Sequence, residues 1–307
     1  MDIIILLVGF SIGLVLLVKG ADEMVSSAVQ IALKFKLPSS IIGATFIGFG
    51  TSAPELFAST GAALKGDLDL GIGNIVGSNI ANSLLVVAVL YLALPKDFSQ
   101  KIKLNQISPV WMAILTTVFV STYVLTNEFP FLLGAVLLIL VIYVIYKMIS
   151  TESVDEGELL GEEKNYIWLR GGLSLLATLY GSQLVVDNAV AIAELFGVSS
   201  LIIGSTIIAI GTSLPEVAGT ISAAKMRKPD IVFGNIFGSN LFNIGLVGAT
   251  AIMISPGEIS SVIDYQLFIM YFVSFIAIFL SRNVIKRNSL LGYLFIVAYI
   301  LFLFSLF

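Results

Sequence analysis

Two glutamates in apolar runs are the residues of this chain best suited to chemistry. Glu55 and Glu216 each lie about halfway along a hydrophobic segment, where an ionisable side chain is costly and usually functional. Each ends a short motif, Thr-Ser-Ala-Pro-Glu at 51–55 and Thr-Ser-Leu-Pro-Glu at 212–216. Because the Thr and Ser lie four and three residues before the Glu, a helix places all three side chains on one face. The alternative, a hydrogen-bonded Glu that only joins helices, fits poorly with two matching motifs.

The neighbours of these motifs add further oxygen atoms. Pro54 and Pro215 lack an N–H and push away the carbonyl four residues earlier, at Gly50 and Gly211. Such carbonyls are tolerated at membrane depth only where they are buried or line a cavity, and there they can bind a cation.

Two later segments each place a hydroxyl and an amide on one helix face, since the residues are four apart: Ser78 with Asn82, and Ser239 with Asn243. In the same segments, the glycine pairs Gly73/Gly77 and Gly234/Gly238 have the small-xxx-small spacing that predicts close helix packing. We expect packing on one face of each segment and cation ligation on the other.

The residue types that are absent narrow the chemistry further. The chain contains neither cysteine nor histidine, so disulfides, thiolate metal sites and histidine bases are excluded. Any binding site must use oxygen from carboxylates, amides, hydroxyls and carbonyls, which favours Na⁺ or Ca²⁺ over zinc or copper. With two acids, the charge of the site is at most −2.

The composition requires that these residues be positioned inside a membrane. Of 307 residues, 58% are hydrophobic and only 12% charged, and the mean hydropathy is +1.03. A soluble protein carries about a quarter charged residues, and a β-barrel would show alternating rather than continuous apolar runs. The sequence predicts an all-α polytopic membrane protein with ten transmembrane helices: 3–33, 40–64, 70–94, 107–126, 130–149, 168–195, 199–224, 231–254, 263–281 and 289–306.

Basic residues predict the orientation of these helices. The loops after the odd-numbered spans hold fourteen of them, whereas the opposite side holds only Lys65. The fourteen are Lys34, Lys36, Lys96, Lys101, Lys103, Lys147, Lys164, Arg170, Lys225, Arg227, Lys228, Arg282, Lys286 and Arg287. The positive-inside rule therefore predicts a multi-pass protein of the plasma membrane with both termini outside. It also places the acidic segment 150–166 in the cytoplasm as a solvated linker.

An internal duplication relates the two halves of the chain. When residue n is placed over residue n+161, residues 41–82 align with 202–243 without a gap, and 20 of 42 positions are identical. We expect a first five-helix repeat at 1–149 and a second at 167–307. Because five is odd, the second repeat enters the membrane inverted, an arrangement typical of secondary transporters with a midplane site.

The paired Gly-Thr-Ser-x-Pro-Glu and Gly-Asn-x-x-Gly-Ser-Asn motifs resemble those of the cation/Ca²⁺ exchanger superfamily, and most of all the prokaryotic Na⁺/Ca²⁺ exchangers. The resemblance covers the whole chain. It implies an antiporter that exchanges Na⁺ for Ca²⁺ by alternating access, with spans 1 and 6 sliding over the remaining bundle. It implies no enzyme activity and no cofactor, with Ca²⁺ and Na⁺ as transported ions. The lipid bilayer is an expected partner. Neither nucleic acid nor an obligatory protein partner is expected.

The same resemblance implies the ion ligands. The carboxylates of Glu55 and Glu216 and the carbonyls of Thr51 and Thr212 would hold Ca²⁺, and the carbonyls of Gly48 and Ala209 would hold flanking Na⁺. The matching hydroxyls for Na⁺ are those of Ser52, Ser78, Ser213 and Ser239, and the matching amides are Asn82 and Asn243.

Asn243 departs from several prokaryotic members, which carry Asp there. K⁺-dependent relatives also carry an acid, so Asn243 argues against a K⁺ requirement and leaves the choice between Na⁺ and H⁺ open. The alternative of the same fold is a H⁺/Ca²⁺ antiporter or one for another divalent cation. A passive cation channel is a different class, but it would normally place its acids at the interface of symmetric subunits. An intramembrane enzyme fits least well.

Overall fold

The computed structural model of the chain describes residues 3–101, 106–151, 166–198, 209–260, 263–282 and 284–306. Its helices are α1 (Ile3–Phe35), α2 (Ser39–Thr51), α3 (Ala53–Leu64), α4 (Leu68–Ala93), α5 (Ile107–Thr126), α6 (Phe131–Thr151), α7 (Ile167–Leu195), α8 (Ala209–Gly211), α9 (Leu214–Lys225), α10 (Pro229–Ile254), α11 (Asp264–Ser281) and α12 (Ser289–Phe304). The strands are β1 (Ser99–Lys101), β2 (Glu128–Phe129), β3 (Gly257–Glu258) and β4 (Val284–Lys286). Most of the linker at 150–166 lies outside the described residues.

The helices follow the apolar runs of the sequence closely. Among the described residues, seven helices are long and apolar enough to cross a membrane, and α2 with α3 forms an eighth span bent by 44°. The apolar helix α12 is shorter, with 16 residues. The span expected at 199–224 is described only from residue 209 onward, so the count of ten remains a prediction.

The short strands show how α5 and α11 run relative to one another. β1 precedes α5 and pairs with β4, which follows α11; β2 follows α5 and pairs with β3, which precedes α11. Each strand pair therefore joins the start of one helix to the end of the other, so α5 and α11 are antiparallel. They occupy equivalent places in the two proposed repeats.

Two further pairs of equivalent helices also cross antiparallel. Gly9 of α1 lies against Asn188 of α7, whereas Ser27, later in α1, lies against Gly171, earlier in α7. In α4 and α10, the order of the contacting asparagines is likewise reversed. An inverted repeat predicts this arrangement, and the repeat boundaries at 1–149 and 167–307 remain predictions.

The pair α4 and α10 lies at the centre of the fold. In their most apolar stretches 78% and 83% of the residues are buried, against 22% in both α1 and α7. Gly234 and Gly238 allow α10 to pack closely on α2, because a side chain at either glycine would clash with the backbone of α2 at Ser40 and Ala44. Among the described residues, no atom of another helix lies within 4 Å of a Cβ built on Gly73 or Gly77.

Candidate functional site

The site begins at two matching helix breaks. Ser52 separates α2 from α3 with φ −83° and ψ 0°, and Ser213 separates α8 from α9 with φ −92° and ψ 2°. Residues in this sparsely populated region often belong to active sites. The prolines explain the breaks: Pro54 and Pro215 lie in the first turn of the following helix, where no N–H donor is needed. The sequence predicted prolines inside continuous helices, whereas the structure places them at the start of new ones.

The breaks bring both glutamates to the first turn of a helix. Glu55 is 4% exposed in α3, and Glu216 is 2% exposed in α9. Oε1 of Glu55 accepts a hydrogen bond of 3.2 Å from the Ser78 hydroxyl of α4. The two carboxylates lie close enough for their charges to interact. The positive end of each helix dipole favours negative charge at this position.

The end of α2 supplies carbonyls and a hydroxyl to the same region. The Ser239 hydroxyl of α10 donates to the Gly48 carbonyl at 3.3 Å and lies 3.5 Å from the Thr51 hydroxyl. Thr51 itself is fully buried and lies beside the Glu216 carboxylate. Residues from both halves therefore meet here, among them Gly48, Thr51 and Ser239.

The equivalent part of the second half is described in less detail. The Gly211 carbonyl, which the proline at 215 was expected to free, accepts a hydrogen bond of 3.1 Å from Ser182 of α7. Thr212 lines the cavity described below, and Ser52 and Ser213 are each 3% exposed. Ala209 is the first residue of α8, and its neighbours at 199–208 lie outside the described residues.

The two amides predicted as ligands open a π-helical turn in each half. These turns run over Asn82–Val86 in α4 and Asn243–Gly248 in α10. Single π-helical turns inside α-helices are frequent at functional sites. Nδ2 of Asn82 donates to Asn240 at 3.0 Å, and Nδ2 of Asn243 donates to Asn79 at 3.0 Å. The two hydrogen bonds are equivalent under the duplication.

Several buried oxygen atoms at the centre lack a hydrogen-bond partner within the described part of the chain. They are Oε2 of Glu55, Oε2 of Glu216, the hydroxyl of Ser52 and Oδ1 of Asn243. Buried polar atoms are nearly always satisfied, so such a group needs an explanation. All four can bind a cation, and none needs to donate a proton to do so. Across the described residues, no three acidic side chains form a metal-binding group, so the central charge comes from the two glutamates.

A cavity of about 390 Å³ lies beside the two helix breaks, where Pro54 and Pro215 precede the glutamates in the chain. Its inner end is lined by Pro54, Gly211, Thr212 and Pro215. From there it extends along the second half of α7, past Gln183 and Asp187 to Glu194, all three of which are exposed. The cavity therefore connects the motifs of both halves with the surface of the protein.

Sequence reasoning did not identify the partners of the predicted ligands. Asn79 and Asn240 hold the two amides, and both belong to the repeated Gly-Ser-Asn triplet, so their identity at the 161-residue offset was an available signal. Ser182, Asp187 and Glu194 of α7 carry no such signal, because the gapless alignment of the halves does not extend to α7.

Comparison with known proteins identifies the family. The family model described as sodium/calcium exchanger protein matches residues 5–151 and 166–307, nearly the entire chain. The chain belongs to the sodium/calcium exchanger family. The superfamily resemblance predicted from the repeated motifs is therefore confirmed.

Individual relatives agree with this assignment. Sodium/calcium exchanger MaX1 of Methanosarcina acetivorans is 32% identical over 278 residues, which cover 77% of this chain and 79% of the relative. Inner membrane protein YrbG of Escherichia coli is 32% identical over 282 residues, covering 86% and 85%. The structure of the sodium-calcium exchanger NCX_Mj soaked with zero Na⁺ and Ca²⁺ matches the whole of both chains with a TM-score of 0.84 and 28% identity. The exchanger is thus a multi-span membrane transporter.

Proposed function

We propose that the protein exchanges Na⁺ for Ca²⁺ through a midplane site that both halves build. The observation that carries this proposal is the set of buried, unpartnered oxygens of Glu55, Glu216, Ser52 and Asn243 within the described residues. The proposed ligands also include Asn82, Ser78, Ser213 and Ser239, and the backbone at Gly48, Thr51, Ala209 and Thr212. The exchanger relatives support the same choice of ions.

The charge of the site explains how one ion could drive the other. Two carboxylates neutralise one Ca²⁺, which takes six to eight oxygen ligands in flexible geometry. The same two charges can instead hold two or more Na⁺ ions. Because both kinds of ion need the same carboxylates, occupancy by one displaces the other. This competition couples the two fluxes.

The cavity beside α7 gives one side of the membrane access to the site. Its mouth carries Asp187 and Glu194, whose negative charges attract cations. With both termini outside, as the basic residues predict, this mouth faces the exterior. The inverted relation of the two proposed repeats then places an alternative path along α1 on the cytoplasmic side. Sliding of α1 and α7 over the other helices would open one path and close the other.

The remaining parts of the proposal concern location. We place the protein in the plasma membrane, with repeats at 1–149 and 167–307 and with the linker at 150–166 in the cytoplasm. A tag at either terminus should then be reachable from outside intact cells. A tag at Glu156 should become reachable only after permeabilisation. A C-terminus in the cytoplasm would contradict the inverted topology.

Radioactive Ca²⁺ uptake into proteoliposomes tests the counter-ion. Separate vesicles are loaded with Na⁺, K⁺ or H⁺ to give an outward gradient of one ion. Vesicles prepared without the protein control for leakage. We expect uptake to depend on the Na⁺ gradient alone. Uptake that follows the H⁺ gradient and ignores Na⁺ would favour the H⁺/Ca²⁺ alternative. Uptake without any counter-ion gradient would indicate a channel.

A further inference from the structure

Each amide ligand of the proposed site has a donor that must be kept away from the ion. An asparagine side chain carries one oxygen acceptor and one NH₂ donor, and only the oxygen can bind a cation. Rotation of the side chain by half a turn would direct the NH₂ group at the ion instead. Some other group must therefore fix which atom of Asn82 and Asn243 faces the site.

We propose that Asn79 and Asn240 are positioning residues that orient the two amide ligands. Oδ1 of Asn79 accepts from Nδ2 of Asn243 at 3.0 Å, and Oδ1 of Asn240 accepts from Nδ2 of Asn82 at 3.0 Å. Since each NH₂ group is bound to the opposite helix, each amide oxygen is directed away from that bond. Oδ1 of Asn243 is the buried oxygen that has no partner among the described residues.

The positioning residues are themselves held in one orientation. Nδ2 of Asn240 donates to the Ser83 hydroxyl at 3.2 Å, and Nδ2 of Asn79 points to the Met270 sulfur at 3.6 Å. A flipped Asn79 or Asn240 would direct its own NH₂ group at the NH₂ group of the ligand. All four asparagines are buried, so water does not compete for these bonds.

This inference rests on the proposed function, because it requires Asn82 and Asn243 to face the transported ion. Its competitor is a structural role, in which Asn79 and Asn240 only join α4 to α10. The two roles differ in how they couple to Ca²⁺ binding. A positioning residue changes the Ca²⁺ affinity of the folded protein, and only while its ligand is present, whereas a residue that only joins the helices changes stability and leaves that affinity unaltered.

Equilibrium Ca²⁺ binding to the purified full-length protein measures this coupling. We expect Asn243→Ala and Asn79→Leu each to weaken Ca²⁺ binding about tenfold, and the double variant to be no weaker than Asn243→Ala. As the matched control, Asn79→Leu combined with Asn82→Ala should be additive, about a hundredfold, because Asn82 is held by Asn240. Additive losses in both pairs would overturn the inference.

Transport kinetics give a second measurement, because a structural role would not change the KM for Ca²⁺ without changing the maximal rate. For Asn79→Leu we expect the KM for Ca²⁺ to rise about tenfold, while the maximal rate changes less than about twofold. Equal loss of rate and affinity would contradict positioning. If Asn79→Leu does not fold, the mirror pair Asn240→Leu and Asn82→Ala reads the same coupling. A protein that shows this pattern but exchanges Ca²⁺ for H⁺ supports the inference while contradicting Na⁺ coupling.

Discussion

The inner pair α4 and α10 and the outer pair α1 and α7 are built from equivalent helices that cross antiparallel, yet they are joined differently. Directional hydrogen bonds between buried asparagines connect the inner pair. The outer pair meets mainly through small residues such as Gly181, which lies against the backbone of α1 at Leu17. Its one ion pair in the described part of the chain, Glu23 with Arg170 at 2.6 Å, is about a third exposed.

This difference suggests that the two helix pairs have different roles. Buried hydrogen bonds fix the register of two helices, because a shift leaves polar groups unsatisfied at about 1–3 kcal/mol each. An exposed ion pair contributes only about 0–1 kcal/mol. The inner pair can therefore hold the ligands in place. The outer pair contacts itself far more than it contacts the other helices, so we propose that it moves against them as one body.

Loss of one carboxylate at the proposed ion site should have the largest effect. Glu55→Gln or Glu216→Gln leaves a charge of −1 for a divalent ion in a region of low dielectric, where a missing charge is costly. We expect Ca²⁺ transport to be abolished in proteoliposomes, with the purified variants still folded. Glu258→Gln in the exposed strand β3 is the matched control and should transport normally. Near-normal flux in either central variant would disprove the two-carboxylate site.

Cross-linking should separate the moving pair from the fixed helices. The chain has no cysteine, so introduced pairs react without background. A Cβ on Gly171 would lie 3.4 Å from Cβ of Ser27, close to the usual disulfide spacing. Oxidation of the Ser27→Cys/Gly171→Cys pair joins α1 to α7, and we expect transport to continue.

The comparison pair joins α1 to a helix of the other group. A Cβ on Gly219 of α9 would lie 3.5 Å from the Met24 methyl group. A short bifunctional thiol reagent on Met24→Cys/Gly219→Cys should therefore block Ca²⁺ flux, and a reducible reagent should restore it on cleavage. Equal inhibition by both cross-links would show that α1 and α7 do not move together.

A third carboxylate should affect the two halves unequally. The sequence alone predicts that Asn82→Asp and Asn243→Asp behave alike, binding cations more tightly and releasing them more slowly. In either variant, once the new acid is ionised and can only accept, the facing asparagine must turn its NH₂ group toward it. Asn240 can then accept from the Ser83 hydroxyl, whereas Asn79 would direct its oxygen at the Met270 sulfur, which cannot donate.

We therefore expect Asn243→Asp to be less stable than Asn82→Asp by about 1–3 kcal/mol, the usual penalty of a buried unsatisfied acceptor. Thermal unfolding in detergent without Ca²⁺, at an alkaline pH where the new acid is ionised, measures this difference. Equal stability of the two variants would mean that Met270 does not limit Asn79. If neither substitution alters cation binding, the amides do not line the ion site.

The difference between Ser83 and Met270 also shows how much of the site the sequence alone can predict. The repeat at an offset of 161 predicted which residues are equivalent, and the helices lie within a few residues of the expected spans. Met270 comes from α11, which the ungapped alignment does not include, so its contact with Asn79 depends on three-dimensional packing. The break at Ser52 was missed for a similar reason. A proline permits either a kink inside a helix or the start of a new one, and packing decides between them.

The smallest effects should come from Ser83 and Met270, which contact the positioning residues Asn240 and Asn79. Ser83→Ala removes the acceptor for Nδ2 of Asn240, so Asn240 holds Asn82 less firmly. We expect weaker Ca²⁺ binding by about 0.5–1.5 kcal/mol, the net contribution of a typical hydrogen bond. Met270→Leu replaces a thioether, which is only a weak acceptor, with an apolar side chain of similar size. Its effect on Ca²⁺ binding should therefore be the smaller of the two.

Calorimetric titration of Ca²⁺ into both variants tests this order. Ser108→Ala is the matched control, because Ser108 is also a buried serine but lies in α5 and bonds the Met148 sulfur at 3.7 Å. We expect the control to leave Ca²⁺ affinity unchanged. If Met270→Leu weakens binding as much as Ser83→Ala, the sulfur contact orients Asn79 as firmly as the hydroxyl orients Asn240. The unequal response to a third carboxylate would then need another cause, since it depends on the weakness of the thioether contact.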